Sequence, residues 1–328
     1  MPAVSVIIPV FNVEPYIAQC ARSLFGQTLE DMEFLFIDDS SQDRSIELIQ
    51  QILETEFPAR KAQVQCFRMP VNSGQAVVRM FGIAHATGDY VIQCDGDDFV
   101  DPVAYSLLYE TALSGQYDIV SCNLRCGSGD AWTVKLQHPT PGQEKEDILL
   151  GRISYSLCTK LIRRSLLDKL RAPVSNVGED MVISVQAVLK GKRFCHLPEA
   201  LYSYRTNPAS TSREAGDEAL LRRLEASQQN VHLLLTLLQQ EYGYSPSSPE
   251  VVYTKYNGRH WLEPVVHLPR FYRLWKATYP EINRRFLFTP KIAWQTKFWF
   301  LLIVLRLYRP VKQFTQTCRR ACPRRHRS

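Results

Sequence analysis

The sequence predicts an α/β chain: a mostly parallel sheet with helices on both faces, followed by a helical C-terminal region. Three observations carry this. The first 125 residues alternate short apolar runs with stretches of helical spacing, acidic residues stand at or just after the ends of apolar runs, and beyond Asp217 helical periodicity takes over. Open sheets of this kind bind ligands beyond the carboxyl ends of their strands, so the acidic positions are where chemistry is expected.

Val4–Val10 (VSVIIPV) is a short apolar run suited to a strand buried on both faces. Ile17, Cys20, Ala21, Leu24 and Phe25 then recur at helical spacing. A strand is predicted at Phe34–Ile37, a helix over Asp43–Glu54, a strand near Val64–Phe67 and a helix from Gly74 to Ala86. Gly88-Asp89 turns the chain into a strand at Tyr90–Cys94. Repeated strand–helix units of this length imply parallel pairing. Residues 126–215 are less regular: Gly127-Ser128-Gly129-Asp130 reads as a hairpin turn, Pro139–Gly142 as a loop and Asp180–Leu189 as a helix. Glu218–Glu241 is helical and is broken by Ser245–Pro249. The expected division is a catalytic domain over 1–215 and a helical, basic region over 216–328.

The 328 residues, 45% of them hydrophobic, suffice for a core that needs no disulfide or metal staple. Net charge is +6 but unevenly spread: from Arg270 onward fifteen Lys/Arg stand against one acid, Glu281, which leaves the first 269 residues at −8. A basic tail of this kind fits an anionic surface. Trp294, the block Phe298–Leu305, Leu307 and Tyr308, flanked by Lys297 and Arg306, fit a helix lying in the headgroup region, with the arginines of 319–327 as reinforcement. The alternative is a helix buried against the catalytic body. No apolar run reaches the length of a spanning helix, and Met1-Pro2-Ala3-Val4 lacks the features of a secretory signal. Nine scattered cysteines, with Cys122/Cys126 and Cys318/Cys322 lacking zinc-finger partners, read as reduced thiols. The expected location is cytoplasmic, peripheral at the inner face of the plasma membrane, with no nucleic-acid partner.

The carboxylates are the chemistry-bearing groups. Ile37 leads into Asp38-Asp39-Ser40-Ser41, Cys94 leads into Asp95-Gly96-Asp97-Asp98, and Gly178-Glu179-Asp180 precedes a helix. Crowding carboxylates at one end of a sheet is costly unless a cation or donors offset them. Two carboxylates one residue apart on a turn suit a hard divalent ion, Mg²⁺ or Mn²⁺, whose remaining positions go to water and diphosphate. No histidine pair stands at ligand spacing, and neither a G-x-S-x-G nor a Walker-type loop occurs.

Together these motifs resemble the inverting nucleotide-sugar glycosyltransferases of family 2, which have the GT-A fold. The strand ending Pro9-Val10-Phe11-Asn12, the Asp38-Asp39-Ser40-Ser41 turn with Ser40 in place of the family's glycine, Asn72-Ser73-Gly74, and Val77-Val78-Arg79-Met80-Phe81-Gly82 with Met80 in place of asparagine all match in order. Gly88-Asp89-Tyr90 then leads to the Asp-x-Asp-Asp. Cys158-x-Lys160-Leu161-x-Arg163, Gly178-Glu179-Asp180 and Tyr202-x-Tyr204-Arg205-x-Asn207-x-x-Ser210 resemble the bacterial branch that builds surface polysaccharides. The resemblance covers about residues 3–215.

It implies roles position by position. Pro9, Phe11 and Asn12 form a nucleobase shelf, with Asp38 and Asp39 beside it and Asp39 accepting from uracil N3–H. Arg79 meets the diphosphate, the alternative being an arginine on a helix surface. Asp95 and Gly96 lie along the donor, Asp97 is the direct metal ligand with Asp95 supporting it, and Asp98 orients the metal or the donor sugar. Asp180 is the general base, with Glu179 as alternate and a plain helix cap as the competing reading for Asp180. The implied partners are a nucleotide-sugar donor, expected to be a UDP-sugar, and a lipid-linked or growing glycan acceptor. A receiver-type signalling domain leaves Glu179-Asp180 and Pro9–Asn12 unexplained. Transfer to a polyprenyl phosphate and a catalytically inactive membrane-bound scaffold stay open as alternatives.

Overall fold

The computed structural model describes residues 2–207 and 216–312. The chain divides into two compact units, Met1–Glu214 and Ala215–Ser328. In the first, β1 (Val4–Val10), α1 (Glu14–Phe25), β2 (Met32–Asp38), α2 (Ser45–Thr55), β3 (Val64–Arg68), α3 (Gln75–His85) and β4 (Tyr90–Gln93) follow one another as the alternating pattern requires. Every residue of β2 and β4 is buried, as is all of β1 except the half-buried Pro9. That is why these segments read as continuous apolar runs. β3, β2, β1 and β4 are parallel neighbours. In this register Val10 lies beside Asp38 and Ile7 beside Gln93, so the loops leaving β1, β2 and β4 emerge at one edge of the sheet.

Helices cover both faces. Val4, Val6, Ile8 and Val10 share one core with Phe34 and Phe36 of β2, Ile17, Ala21 and Leu24 of α1, and Ile49 and Ile52 of α2. Phe25 seals it edge-on to Phe34 and Phe36, with centroids 5.5 and 5.8 Å away. On the opposite face α3 lies so close that a Cβ at Gly82 would strike Ile7 and Ile37.

Beyond β4 the sheet becomes mixed. β5 (Phe99–Val100), α4 (Ala104–Ser114), β6 (Ile119–Ser128), β7 (Ala131–Lys135), α5 (Glu144–Leu149), β8 (Lys160–Arg163), α6 (Glu179–Lys190) and β9 (Phe194–Arg205) complete the order β3-β2-β1-β4-β8-β6-β9-β5, with β7 paired to β6. β8 runs antiparallel to both β4 and β6, β9 parallel to β6, and β5 antiparallel to β9. The predicted hairpin is present, joining β6 to β7 through Gly129-Asp130. The short pairing of β5 with β9 sets Phe99 beside Ser203, which carries the end of β9 to the loop after β4.

The second unit is helical: α7 (Asp217–Thr236), ending in a π turn at Leu237–Glu241, then α8 (Pro249–Asn257), α9 (Pro269–Ala277) and α10 (Trp294–Val304). The Ser/Pro break is a restart, with the Ser248 hydroxyl accepting from Val251 N–H and Pro249 in the first turn of α8. Trp275, Tyr256, Phe286 and Phe300 form its aromatic centre; Phe286 and Phe300 stack 4.5 Å apart. Arg259 is wholly buried there, 4.7 Å over the Trp275 ring and bonded to Asn283 and the Tyr279 carbonyl. Among the described residues no helix is long and apolar enough to cross a membrane. Ser210, Cys318, Cys322 and the arginines of 319–327 lie outside the described residues. The other seven cysteines are free thiols.

Candidate active site

The loops after β1 and β2 clasp each other. Asn12 takes a left-handed backbone (φ 51°); its N–H donates to Ser41 Oγ at 3.2 Å and its Oδ1 accepts from Gln42 N–H at 2.9 Å. Phe11 stays exposed at the tip. Asp38 is buried, accepts from Ser41 N–H at 2.8 Å and pairs with Arg68 at 2.9 Å. Asp39, also buried, takes the Ser73 and Gly74 N–H groups at 2.7 and 2.8 Å, one on each oxygen. The expected base-reading carboxylate therefore also holds the loop at 73–74. Gly74 has φ +84°, and a Cβ on it would collide with the Asn176 side chain, whose Oδ1 accepts from Ala76 N–H at 2.9 Å at the start of α3.

The loop after β4 is pinned from several sides. Gly96 sits where a Cβ would come 3.0 Å from the Pro9 carbonyl oxygen, a tight contact that glycine avoids as the two strand ends approach. Asp95 N–H donates to the Tyr202 hydroxyl at 3.2 Å. The Asp97 carboxylate accepts from Asn207 Nδ2 at 3.1 Å; burial and the neighbouring Asp95 charge push it above the ordinary aspartate range. Asp98 is 1% exposed, with Oδ2 bonded to the Tyr202 hydroxyl and Oδ1 to Arg205 N–H, both at 2.6 Å, and so anchors β9. Burial, then Asp95 and Asp97, raise it to about 8.

Arg79 does not lie on the helix surface. It is buried on α3 and donates to Gln93, to Asp95 at 2.8 Å and to Glu179 at 3.4 Å. Burial opposes its charge, but Asp95, Cys158, Glu179 and Asp180 outweigh that and hold it protonated. One guanidinium thus ties the loop after β4 to the start of α6.

At that start Gly178, the N-cap, has no side chain to offer, and Asp180 Oδ1 accepts Met181 N–H at 2.8 Å within the first turn. Glu179 is buried and raised to about 7, by burial first and by Asp180 second, with Arg79 pulling the other way. Asp180 is raised too, chiefly by burial. Lys160, buried beneath, donates to the Ser154 and Ser156 carbonyls at 2.6 and 2.7 Å and is lowered to about 8 by burial, which Asp180 opposes.

Sequence reasoning quoted Tyr202, Arg205 and Asn207 without roles, and the structure wraps all three around Asp95–Asp98. Cys158 was likewise quoted without a role, and its thiol lies 3.7 Å from Asp95 Oδ2; Asn176 was missed. Among the described residues no three His, Cys, Asp or Glu side chains converge as cation ligands.

The model of glycosyl transferase family 2 matches residues 5–171. EpsJ of Bacillus subtilis (strain 168), an uncharacterized glycosyltransferase, is 31% identical over 242 residues, which span 69% of this chain and 69% of EpsJ. The structure of S. aureus TarS 1-349 in complex with UDP-GlcNAc aligns at a TM-score of 0.60 and 16% identity, over 97% of this chain and 92% of that one. The mannosyltransferase PcManGT from Pyrobaculum calidifontis, in complex with GDP-Man and Mn²⁺, aligns at 0.54 and 14%, over 93% and 87%. At these identities the two structures bear on the fold, which is the GT-A type. The family match runs from β1 past β8 and includes both acidic loops and Arg79, and this chain belongs to glycosyl transferase family 2.

Proposed function

We propose that this glycosyltransferase moves a hexosyl or N-acetylhexosaminyl group from a UDP-sugar to an acceptor hydroxyl with inversion, in the assembly of a cell-surface polysaccharide such as capsule, O-antigen or exopolysaccharide. The observation that carries the reading is the Arg79 bridge, which holds Asp95 and Glu179 at once and so sets the acidic loop after β4 beside Asp180. Donor and acceptor ends of a single displacement need that proximity.

In this reading Phe11 stacks on the base, and Asp39, whose oxygens each keep a lone pair, accepts from uracil N3–H. Asp180 takes the proton of the acceptor hydroxyl. The acceptor oxygen bonds to the anomeric carbon from the face opposite the leaving group, and the bond from that carbon to the diphosphate oxygen breaks with its electron pair on the nucleoside diphosphate. The raised affinity of Asp180 for protons makes it a stronger base than an ordinary aspartate. Glu179 is engaged by Arg79, which favours Asp180 of the two.

Asp95 and Asp97 are the two carboxylates left to hold a cation. They fit Mg²⁺ or Mn²⁺, which bind through one or two carboxylates plus substrate phosphates and need no all-protein cage. When bound, the ion offsets diphosphate charge and favours departure of the nucleoside diphosphate. The unfavourable burial of Asp97 beside Asp95 is what such an ion would relieve. The acceptor is a lipid-linked or growing glycan at the inner face of the membrane; the basic, apolar stretch after Arg270 supports that side of the proposal.

The test is nucleoside diphosphate release from a panel of UDP-, GDP- and dTDP-sugars, with Mn²⁺ or EDTA, for the wild type, Asp97→Ala and Asp180→Asn. Expected is metal-dependent release from one donor, abolished by Asp97→Ala and slowed by about 10²–10⁴-fold by Asp180→Asn. Near-wild-type transfer by Asp180→Asn moves the base elsewhere. Calorimetry that finds no binding of any donor favours the scaffold alternative.

A further inference from the structure

Nothing in the chemistry above uses α10. From Phe298 to Val304 its residues are all apolar: Phe300, Leu302 and Ile303 are buried against the unit's own aromatic centre, while Trp294, Phe298, Leu301 and the C-cap Leu305 follow one another on another side at intervals of four, three and four residues. Those four are exposed, Trp294 by 70% and Leu305 by 55%. The short turn Phe286–Phe288 packs on the same helix through Phe286 and leaves Phe288 85% exposed. A helix that buries one apolar side and shows water another has an unused contact face, and apolar surface gathered in this way marks an interaction site.

The charges say what covers it. From Arg270 to Lys312 ten Lys/Arg stand against one acid, and that acid, Glu281, pairs with Lys255 at 2.6 Å. Lys297 lies within α10, and Arg306 and Arg309 follow it, with Arg306 4.6 Å over the Tyr272 ring. Beside the last residue of α10, a cavity of about 470 Å³ is lined by Tyr272, Lys276, Arg284 and Val304 among others. A second copy of this chain would set ten like charges against ten, which opposes self-docking. Residues 313–328, with five arginines and one large apolar residue, Phe314, do not match an apolar stripe. Eleven residues make a helix of about 16 Å, half the hydrocarbon thickness, so α10 cannot span.

We propose that α10 is a membrane-contact helix: it lies in the plane of the bilayer, with Trp294, Phe298, Leu301 and Leu305 in the acyl boundary and the flanking cations on anionic lipid phosphates. This names the surface and lipid class for the membrane side of the function proposed above, and it is independent of the roles given to Asp97 and Asp180.

The experiment is flotation of the full chain with vesicles of phosphatidylcholine alone or with phosphatidylglycerol added, alongside nucleoside diphosphate release in solution. The wild type is expected to float with the anionic vesicles and to be released by salt. Phe298→Asp combined with Leu301→Asp, charges placed at already exposed positions, is expected to weaken flotation about tenfold or more while leaving melting temperature and donor hydrolysis unchanged. Lys297→Glu with Arg306→Glu is expected to weaken binding to anionic vesicles only. The proposal is overturned if the wild type floats with neither vesicle, if the Asp double variant floats equally well, or if sedimentation velocity shows a wild-type dimer that the variant loses. Failure of the function reading would instead appear as absent donor turnover with flotation intact.

Discussion

Two arginine–aspartate pairs of nearly equal length hold the two acidic loops, and they are not equivalent. Arg68 meets Asp38 at 2.9 Å from a guanidinium that is 62% exposed, whereas Arg79 meets Asp95 at 2.8 Å from one that is 5% exposed. In the first loop the carboxylates are satisfied chiefly by neutral backbone N–H groups, from Ser41, Ser73 and Gly74. In the second, Asp95, Asp97 and Asp98 crowd one turn, where Asp97 and Asp98 are raised by burial and by their neighbours' charge, with Arg79 as the buried counter-charge. Distance alone therefore ranks nothing: the first loop is built to present an acceptor, the second to wait for positive charge.

The sharpest way to break the comparison is to remove each arginine. Arg79→Met strands the buried Glu179 and the half-buried Asp95 without their counter-charge and is expected to destabilise the fold by about 3–5 kcal/mol. Arg68→Met, at the exposed pair, is expected to cost less than about 1 kcal/mol. Denaturant unfolding of both variants reads the difference, and equal losses would mean that Arg68 is as enclosed in solution as Arg79.

Asp39→Asn asks what the neutral donors are worth. An amide offers one accepting oxygen where the carboxylate offers two, so either Ser73 or Gly74 N–H loses its partner. The expected cost is about 2 kcal/mol, with KM for the donor rising more than kcat falls if the same group reads the nucleobase as proposed.

The charged side of the comparison predicts a pH dependence. Glu179 titrates at about 7 in the folded chain against an ordinary 4.5, so between those values the folded state holds a proton that the unfolded state releases. Its contribution to stability is complete below about 4.5 and is lost as pH rises through 7. Unfolding free energy measured without divalent ions is expected to drop across that window by on the order of 1–3 kcal/mol. Glu179→Gln should reduce the slope, Asp98, raised to about 8, carrying part of the remainder; an unchanged slope would assign it to other groups.

The sequence showed the strand ends well, because β1, β2 and β4 are continuous apolar runs that stop at a polar loop, and their parallel register follows from the helices between them. It could not show that β8 is antiparallel, since an apolar run carries no direction, nor that Asp98 turns inward, since its partners Tyr202 and Arg205 lie more than a hundred residues away. For Arg79 a signal was present. On α3 the buried positions are Ala76, Val78, Arg79 and Gly82, so the arginine sits on the inward stripe and not on the outward one. An arginine on an inward stripe, in a chain whose strands end in carboxylates, is a buried counter-charge in waiting.

The smallest effect isolates backbone from charge in the first loop. Ser40 stands where the family resemblance expects glycine, and it adopts φ +66°, a left-handed conformation that costs an L-residue about 1–2 kcal/mol. Ser40→Gly removes that strain but frees the unfolded chain, which costs back about 0.5–1 kcal/mol. The net expectation is stabilisation of less than about 1 kcal/mol, with Asp38 and Asp39 still held by Ser41, Ser73 and Gly74 and donor turnover unchanged. A melting temperature that instead fell by several degrees, or a changed KM for the donor, would show that the Ser40 hydroxyl itself belongs to the base-reading loop, and the contrast between a loop of backbone donors and a loop of buried charge would have to be redrawn.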